Sequence, residues 1–247
     1  MKQYTTIMLT VAGLAAGSQG SAFAQAAPKP EPPPAWQSTA TLGLSLTRGN
    51  SDTVLFTGNL KTDRKAKEEE WAFGADAAYG ENNSVKNTES LHGFGQYNRL
   101  FNERWFGYAR VDALHDGIAD VAYRVALSPG LGYYFVKEKN TSLAAEVGPG
   151  VVFEKRGGIA DTYATLRVAE RFEHKFSDHA RLWQSAELLP AVKNFGNYLL
   201  NVEVGVGAAL TKRIELTVTL LDNYASQPAV GRKSNDLKLI SGITYKF

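Results

Sequence analysis

Residues 123–135 read YRVALSPGLGYYF, and this stretch decides the fold class because its side chains alternate in character. Large or apolar side chains occupy every second position, at Tyr123, Val125, Leu127, Pro129, Leu131, Tyr133 and Phe135. Small or polar side chains lie between them, at Arg124, Ala126, Ser128, Gly130 and Gly132. A period of two predicts a β-strand with one apolar face and one polar face.

The same alternation recurs along the chain on both sides of this strand. It predicts twelve strands, at approximately 36–47, 52–63, 70–82, 87–100, 104–115, 122–137, 141–155, 160–175, 180–193, 197–211, 213–225 and 234–247. Clusters of Gly, Asn, Asp and Ser separate nearly all of them, which is typical of turns. The alternation is weak in the fourth, fifth and ninth segments, so their register is left open.

The distribution of polar residues distinguishes between two kinds of β-structure. A soluble sandwich or a lipocalin-like barrel also alternates, but a membrane barrel has its apolar face outside and its polar face inside. Here the polar faces contain mostly Gly, Ser, Thr and charges that can pair. Residues 36–247 divided among twelve strands give roughly 18 residues per strand and turn, as a tilted membrane-spanning strand requires. The predicted fold class is all-β: a transmembrane antiparallel up-and-down β-barrel of about twelve strands, with short loops and both termini in the periplasm.

The beginning of the chain has the three parts of a secretory signal peptide. Lys2 supplies the positive charge, residues 7–16 the apolar segment, and Ala22-Phe23-Ala24 the cleavage motif. We predict a signal peptide at 1–24, a proline-rich periplasmic tether at 25–35 and an outer-membrane β-barrel domain at 36–247. Past the leader, no run of about 18 apolar residues could form a transmembrane helix. The predicted location is the outer membrane of a Gram-negative cell.

Composition narrows the range of partners. The chain has 27 basic and 25 acidic residues, a near balance that gives no support for nucleic-acid binding. It has no cysteine, so neither disulfides nor a lipid anchor on an N-terminal cysteine can form. No cofactor and no metal is expected. The expected partners are outer-membrane lipid, lipopolysaccharide and, during biogenesis, the barrel assembly machinery, and the chain is expected to be a monomer.

Aromatic side chains near the strand ends predict two belts at the membrane interfaces. The periplasmic belt is predicted to contain Trp36, Trp71, Phe101, Trp105, Phe135, Phe172, Trp183 and Tyr245. The outer belt is predicted to contain Tyr79, Tyr123, Phe153, Tyr163, Tyr198 and Tyr224. The last strand places Leu237, Leu239, Ser241, Ile243, Tyr245 and Phe247 on one face. Its aromatic end, Tyr245 and Phe247, resembles the C-terminal assembly signal of outer-membrane barrels.

Charged residues on the polar faces are the candidate functional residues of the lumen. They are Lys61, Asp76, Arg124, Glu146, Arg167, Arg171, Glu203 and Lys238, together with Glu187 if the ninth strand is read correctly. Charges in a narrow polar lumen must be paired or hydrated. Two interpretations follow: a ladder of ion pairs that fills and stiffens the barrel, or a weakly selective water-filled path.

Residues 42–53, LGLSLTRGNSDT, resemble the opening motif of the salt-induced outer-membrane protein family, the YdiY-like group whose domain has no known function. The family hairpin motif consists of Thr47, Arg48, Gly49, Asn50, Ser51, Asp52 and Thr53. The resemblance continues at 104–106, 129–133, 173–177 and 243–247 and covers essentially the whole mature chain. It implies an outer-membrane barrel linked to salt or osmotic stress, and it supplies no catalytic residues. Independently of the family, Gly49 and Asn50 tolerate the positive φ of a tight turn.

A lipid-modifying enzyme, similar to the phospholipase barrels of the outer membrane, is the alternative function. His92 or His115 could meet a serine such as Ser90 across strands, but the sequence has no G-x-S-x-G or other nucleophile frame. His115, Asp116 and Asp120 form a compact group of potential metal ligands, which we interpret as an exposed polar loop. No catalytic or metal-binding residue is therefore predicted.

Overall fold

The computed structural model describes residues 35–47 and 53–247, and these residues form twelve antiparallel strands. The strands are β1 (Gln37–Thr47), β2 (Thr53–Lys65), β3 (Glu69–Asn82), β4 (Val85–Leu100), β5 (Trp105–Asp116), β6 (Val121–Lys137), β7 (Thr141–Arg156), β8 (Ile159–Ser177), β9 (Ala180–Ala191), β10 (Asn194–Ala209), β11 (Ile214–Ala225) and β12 (Asn235–Lys246). The prediction of an all-β fold with twelve strands is confirmed. None of the described residues belongs to a helix long and apolar enough to cross a membrane.

Each strand pairs with its neighbours in sequence, and β1 pairs with β12 to close the barrel. The closing seam is short: its paired residues run from Thr39 opposite Lys246 to Leu42 opposite Ile243. By contrast, β1 pairs with β2 over its whole length, from Gln37 to Thr47. Closure satisfies the edge strands, which would otherwise present unpaired backbone groups to other chains. We call the end of the barrel at Gln37 and Lys246 the terminus end, and the other end the loop end.

The two faces of the barrel wall differ as the alternation predicts. Leu131 of β6, Val147 of β7 and Val204 of β10 point outward and are 51%, 50% and 37% exposed. Glu146, next to Val147 in sequence, points inward and is only 2% exposed. Since successive side chains of a strand point to opposite faces, the apolar rows lie outside and the polar rows inside. This arrangement inverts that of a soluble barrel.

Strand boundaries differ from the predicted ones by a few residues. β4 begins at Val85, two positions before the predicted start, because Asn83 and Ser84 form a tight turn with φ values of 49° and 61°. A two-residue hairpin turn of this kind needs positive φ at both positions, which asparagine tolerates well. β9 ends at Ala191 rather than at residue 193, beside an irregularity in its pairing with β10.

The loop between β11 and β12, residues 226–234, folds toward the other side of the barrel. Gln227 accepts a hydrogen bond through its backbone oxygen from Arg156 at the end of β7. Ala229 is only 6% exposed and lies against Gly157 in the β7–β8 turn. The loop therefore partly covers the opening at the loop end.

Several predictions fall outside the described residues. They are the signal peptide at 1–24, all of the tether except residue 35, and residues 48–52 of the hairpin motif. Thr47 and Thr53, which flank those five residues, are paired in the register of β1 and β2.

Candidate functional site

The interior of the barrel contains every charged residue that the alternation placed there. Lys61, Asp76, Arg124, Glu146, Arg167, Arg171, Glu203 and Lys238 lie on inward-facing positions of their strands, as does Glu187 of β9. Most of them take part in one network on the inner face of β3 to β9, which we call the charged wall.

Glu146 lies at the centre of the charged wall. One of its carboxylate oxygens accepts hydrogen bonds from Gln96 at 2.8 Å and from Arg171 at 2.6 Å, and the other accepts one from Arg167 at 2.7 Å. The side chains of Glu146 and Arg167 are almost entirely buried. A buried carboxylate is tolerated only when its charge is compensated and its oxygens are bonded, and here both conditions hold.

The network extends from Glu146 through Arg167 toward β9 and β5. Arg167 also donates to Glu187 at 2.7 Å, and Glu187 lies 3.7 Å from Arg110 of β5. Arg110 forms a two-pronged pair with Asp112, with N–O distances of 2.7 and 2.6 Å. Paired N–H donors of this kind fix the orientation of both groups.

The network ends at His92 of β4, whose ring lies between two carboxylates. Its Nδ1 is 2.9 Å from Asp76 and its Nε2 is 3.4 Å from Asp112. Arg110 also donates to Gln96 at 3.1 Å, so the hydrogen-bonded series runs from Asp76 on β3 through Gln96 and Glu146 to Glu187 on β9. Of its members, Gln96, Arg110 and Asp112 were not predicted, because β4 and β5 alternate weakly in sequence.

Aromatic side chains fill the lumen on the terminus side of Glu146. Phe106, Tyr108 and Tyr134 are all nearly inaccessible to solvent, and the Phe106 and Tyr134 ring centroids are 5.0 Å apart. The Phe106 ring lies over Gly132, where an added Cβ would be 2.1 Å from the ring. The Tyr134 hydroxyl donates to Glu70 at 2.5 Å, so that this cluster is joined to a second buried carboxylate. The charged wall is thus packed with side chains over much of its height.

The remaining inner surface, on β10 to β12, β1 and β2, is rich in glycine and threonine. We call it the Gly/Thr wall, and its members include Thr41, Gly43, Thr57, Gly205, Gly207, Thr217, Gly242 and Thr244. Thr41 and Thr244 are hydrogen-bonded across the closing seam at 2.7 Å. Gly205 and Gly207 of this wall lie beneath larger inward side chains, those of Trp183 and Glu215.

Lys61 and Glu203 lie beside the Gly/Thr wall and differ from the other predicted charges. Within the part of the chain that the structure describes, Lys61 has no ion pair and its side chain is exposed. Glu203 accepts a hydrogen bond from the Trp183 indole at 2.6 Å and has no cationic partner among the described residues. These two charges are therefore not neutralised by the network.

The other two predicted charges, Arg124 and Lys238, have partners near the loop end of the barrel. Arg124 donates to Glu154 at 2.7 Å, and Lys238 lies 3.0 Å from Asp236 and 3.3 Å from Ser90. At the terminus end, Glu215 is buried and binds both Arg181, at 2.7 Å, and Lys246. The sequence did not single out Glu154 or Glu215, although both occupy inward positions of alternating strands.

Two members of the predicted aromatic belts are placed wrongly. Trp183 and Tyr163 point into the lumen, where Trp183 lies over Gly205 and the Tyr163 hydroxyl donates to Glu154 at 3.3 Å. Residue type alone suggested an interface position for both residues. Inside the barrel, however, the Trp183 ring packs over Gly205 and the Tyr163 hydroxyl binds the Glu154 carboxylate. The other predicted belt residues lie on the outer face or in the turns at its ends.

The histidines and the serine of the enzyme alternative do not come together. His92 faces Asp76 and Asp112, while the Ser90 hydroxyl is bonded to Lys238. His115 lies on the outer face, where its Nδ1 is 3.0 Å from the backbone oxygen of Ala122. Among the described residues, no group of three His, Cys, Asp or Glu side chains is arranged to hold a metal. Asp116 instead caps the backbone amides of the β5–β6 turn.

A closed twelve-stranded barrel with an apolar outside and a charged, partly filled inside is the architecture of a porin-like β-barrel. Comparison with solved structures agrees: the NanC porin superposes with a TM-score of 0.52 at 9% identity, covering 86% of this chain and 100% of that one. The KdgM porin gives a TM-score of 0.48 at 11% identity, covering 86% and 99%. An outer-membrane channel from Pseudomonas putida F1 gives 0.49 at 10% identity, covering 87% and 96%.

A family model described as a protein of unknown function, DUF481, matches residues 40–247. The chain therefore belongs to the DUF481 family. No curated protein matches this chain. The expectation of a domain with no known function is confirmed, while the salt-induced, YdiY-like name stays a prediction.

Proposed function

We propose that this protein is an outer-membrane β-barrel of the Gram-negative envelope that provides a narrow, weakly selective water-filled path. The path runs along the Gly/Thr wall, while the charged wall stiffens the opposite side of the barrel. In this proposal the two interpretations of the lumen charges apply to different parts of one interior.

The observation that carries the proposal is the state of Lys61 and Glu203. Charges inside a barrel must be paired or hydrated, because an isolated charge in a dry interior is very unfavourable. Neither residue has an oppositely charged partner among the described residues: Lys61 is exposed, and Glu203 accepts a hydrogen bond from the neutral Trp183 indole. Water beside the Gly/Thr wall hydrates both charges without any rearrangement of the barrel.

The outer face supports a membrane location. Its leucine and valine rows are exposed, and exposed aromatic residues such as Trp105, Phe135 and Tyr79 lie toward the strand ends. Aromatic belts of this kind lie at the two interfaces of a membrane barrel. With a cleaved leader, the terminus end faces the periplasm and the loop end faces outward. The partners are then outer-membrane lipid, lipopolysaccharide and the assembly machinery.

The loop at 226–234 narrows the entrance to this path. Arg232 and Lys233 are exposed on it and have no ion pair within the described ranges. They line the mouth together with the carboxylates of Glu89, Asp116 and Asp236, so a solute that enters meets charges of both signs.

Single-channel recording of the refolded full chain in a planar bilayer tests this function. We expect small, steady conductance steps, because the charged wall occupies much of the lumen. A chain that folds to a closed barrel but gives no current would instead be a filled structural barrel. Refolding buffer that contains detergent but no protein is the control for leak currents.

The link to salt or osmotic stress rests on the family resemblance. It predicts that the amount of protein in the envelope rises when the growth medium contains added salt, which quantitative immunoblotting measures. A lipid-modifying activity is not proposed, because Ser90 and His92 have other partners.

A further inference from the structure

β8 places a carboxyl group in its outward apolar row. Glu170 follows Leu166 and Val168 on the outer face and precedes Phe172. The register sets it opposite Ala145 of β7 and Ala186 of β9. Val168, on the same row, is 44% exposed, so this part of the outer face is uncovered in the isolated chain.

Glu170 lies on the loop-end side of the two aromatic residues that end its row, Phe172 and Phe176. Phe176 marks the terminus end of the same row and is exposed. For a strand tilted by about 40°, the rise along the barrel axis is about 2.5 Å per residue, which puts Glu170 about 15 Å from Phe176. A polar group in hydrocarbon has no water to bond, and the free energy of placing a charge there rises with depth.

The nearest polar side chain, Gln184 of β9, compensates for only part of this. Its amide donates to Glu170 at 2.5 Å. A carboxyl has a second oxygen and a primary amide has a second N–H and an oxygen. Among the described residues, these groups have no further partner.

We propose that this face binds a second copy of the chain in a twofold dimer. A twofold axis brings the same patch of each copy together, so the patch must complement itself. Glu170 and Gln184 do so, because each Gln184 amide can donate its second N–H to the free carboxyl oxygen of the other copy. Ala145 and Ala186, on either side of Glu170, are small enough to let the two walls approach closely.

This dimer replaces the monomer that the sequence led us to expect, and it rests on the membrane location in the proposed function. The chain has no cysteine, so a single introduced cysteine reports on one position only. We choose Ala186→Cys at the patch and Leu60→Cys as the matched control. Leu60 is also outward-facing and 59% exposed, but it lies on β2, across the barrel from β8.

The experiment is oxidative crosslinking of the full chain in isolated outer membranes. We expect a disulfide-linked dimer from Ala186→Cys and none from Leu60→Cys. Adding Glu170→Leu should lower the crosslinked yield about tenfold at limiting protein. The substitution removes both symmetry-related hydrogen bonds between the copies, and two side-chain hydrogen bonds between membrane segments together change an association constant by about this factor. Glu170→Gln keeps an acceptor and should retain most of the yield.

Each other outcome overturns the dimer. A folded, membrane-embedded Ala186→Cys chain that stays monomeric removes it while leaving the pore proposal intact. A chain found only in the soluble fraction removes both. A disulfide adduct with a different protein would show that the patch binds a heterologous partner.

Discussion

Arg167 and Glu146 lie on adjacent strands with 2.7 Å between the guanidinium Nη1 and the carboxylate Oε2, and neither side chain reaches solvent. Glu146 holds a second guanidinium, that of Arg171, at 2.6 Å. One carboxylate therefore neutralises part of the charge of two arginines inside the barrel. The stability of the charged wall depends on this residue more than on any exposed ion pair.

Glu146→Gln should destabilise the barrel, because it removes the charge that compensates Arg167 and Arg171 while keeping the shape of the side chain. Losing one partner of a buried pair costs about 3 to 5 kcal/mol. Urea unfolding in detergent, followed by the shift of the folded band on unheated gels, measures the change. Glu138→Gln, in the exposed β6–β7 turn, is the control and should leave the unfolding midpoint unchanged. Equal midpoints for both variants would mean that the ion-pair network adds no stability.

Lys61→Glu and Glu203→Gln should shift ion selectivity in opposite directions. The first makes the path more negative and favours cations, and the second makes it more positive and favours anions. Two unit charges about 4 Å apart in water interact by about 1 kcal/mol, which corresponds to a change of about fivefold in the permeability ratio. Reversal potentials across a salt gradient report this ratio. Glu68→Gln, in the exposed β2–β3 turn where Glu68 pairs with Arg99 of the outer face, is a control that should leave the ratio unchanged. Conductance with the same selectivity in every variant would place the ions elsewhere.

Val147→Arg tests which face meets the lipid. Val147 is outward and lies in the middle of β7, so an arginine there should cost about 2 to 4 kcal/mol. Val85→Arg is the matched control, because Val85 is also exposed but begins β4 at the loop end, where the cost is about 0 to 1 kcal/mol. Refolding yield and unfolding in lipid vesicles measure both. A soluble barrel would tolerate the two substitutions equally.

Gly132→Ala should destabilise the aromatic cluster, since the added methyl group would lie 2.1 Å from the Phe106 ring. Forcing a methyl group into a packed interior costs about 1 to 3 kcal/mol. Gly93→Ala is the control: its methyl group would meet its nearest neighbour at 3.6 Å, an ordinary contact. Unfolding midpoints of the two variants should differ accordingly. If they are the same, Phe106 has room to move that the structure does not show.

Deletion of Phe247 should impair assembly more than stability. The residue is 75% exposed and contributes one backbone hydrogen bond, from its amide to Ser38. Its removal therefore changes the finished barrel little, while the predicted assembly signal of Tyr245 and Phe247 is lost. We expect a lower amount in the outer membrane and an unchanged unfolding midpoint after refolding in detergent. Phe247→Tyr, which keeps an aromatic end, should assemble normally.

The alternation of side chains was enough to predict the strands and the inward position of nine charged residues, because a period of two assigns each residue to a face. It worked well for β6 and β7, where glycine and charge alternate with large apolar residues. It could not predict Trp183, because β9 has polar residues on both faces and the ring is held inside by Glu203 and by the space over Gly205.

The ion-pair network could not be predicted from the sequence for a different reason. Gln96 on β4 reaches Glu146 on β7 past two intervening strands, a contact that exists only because the sheet curves into a barrel. Adjacent-strand pairs can be anticipated once the register is known, but contacts across the lumen depend on curvature and on which positions are glycine. Strand periodicity contains neither.

The short seam between β1 and β12 gives the barrel a preferred line of rupture. Its paired residues extend from Thr39 to Leu42, whereas the β1–β2 ladder extends over the whole of β1. Under a pulling force applied to either terminal strand, hydrogen bonds along a ladder break one after another, and the shortest ladder fails first. During assembly, an open β1–β12 seam leaves the fewest backbone hydrogen bonds unformed until β12 is added. Mechanical resistance of the barrel is therefore lowest at the β1–β12 pairing and higher at the other strand pairings.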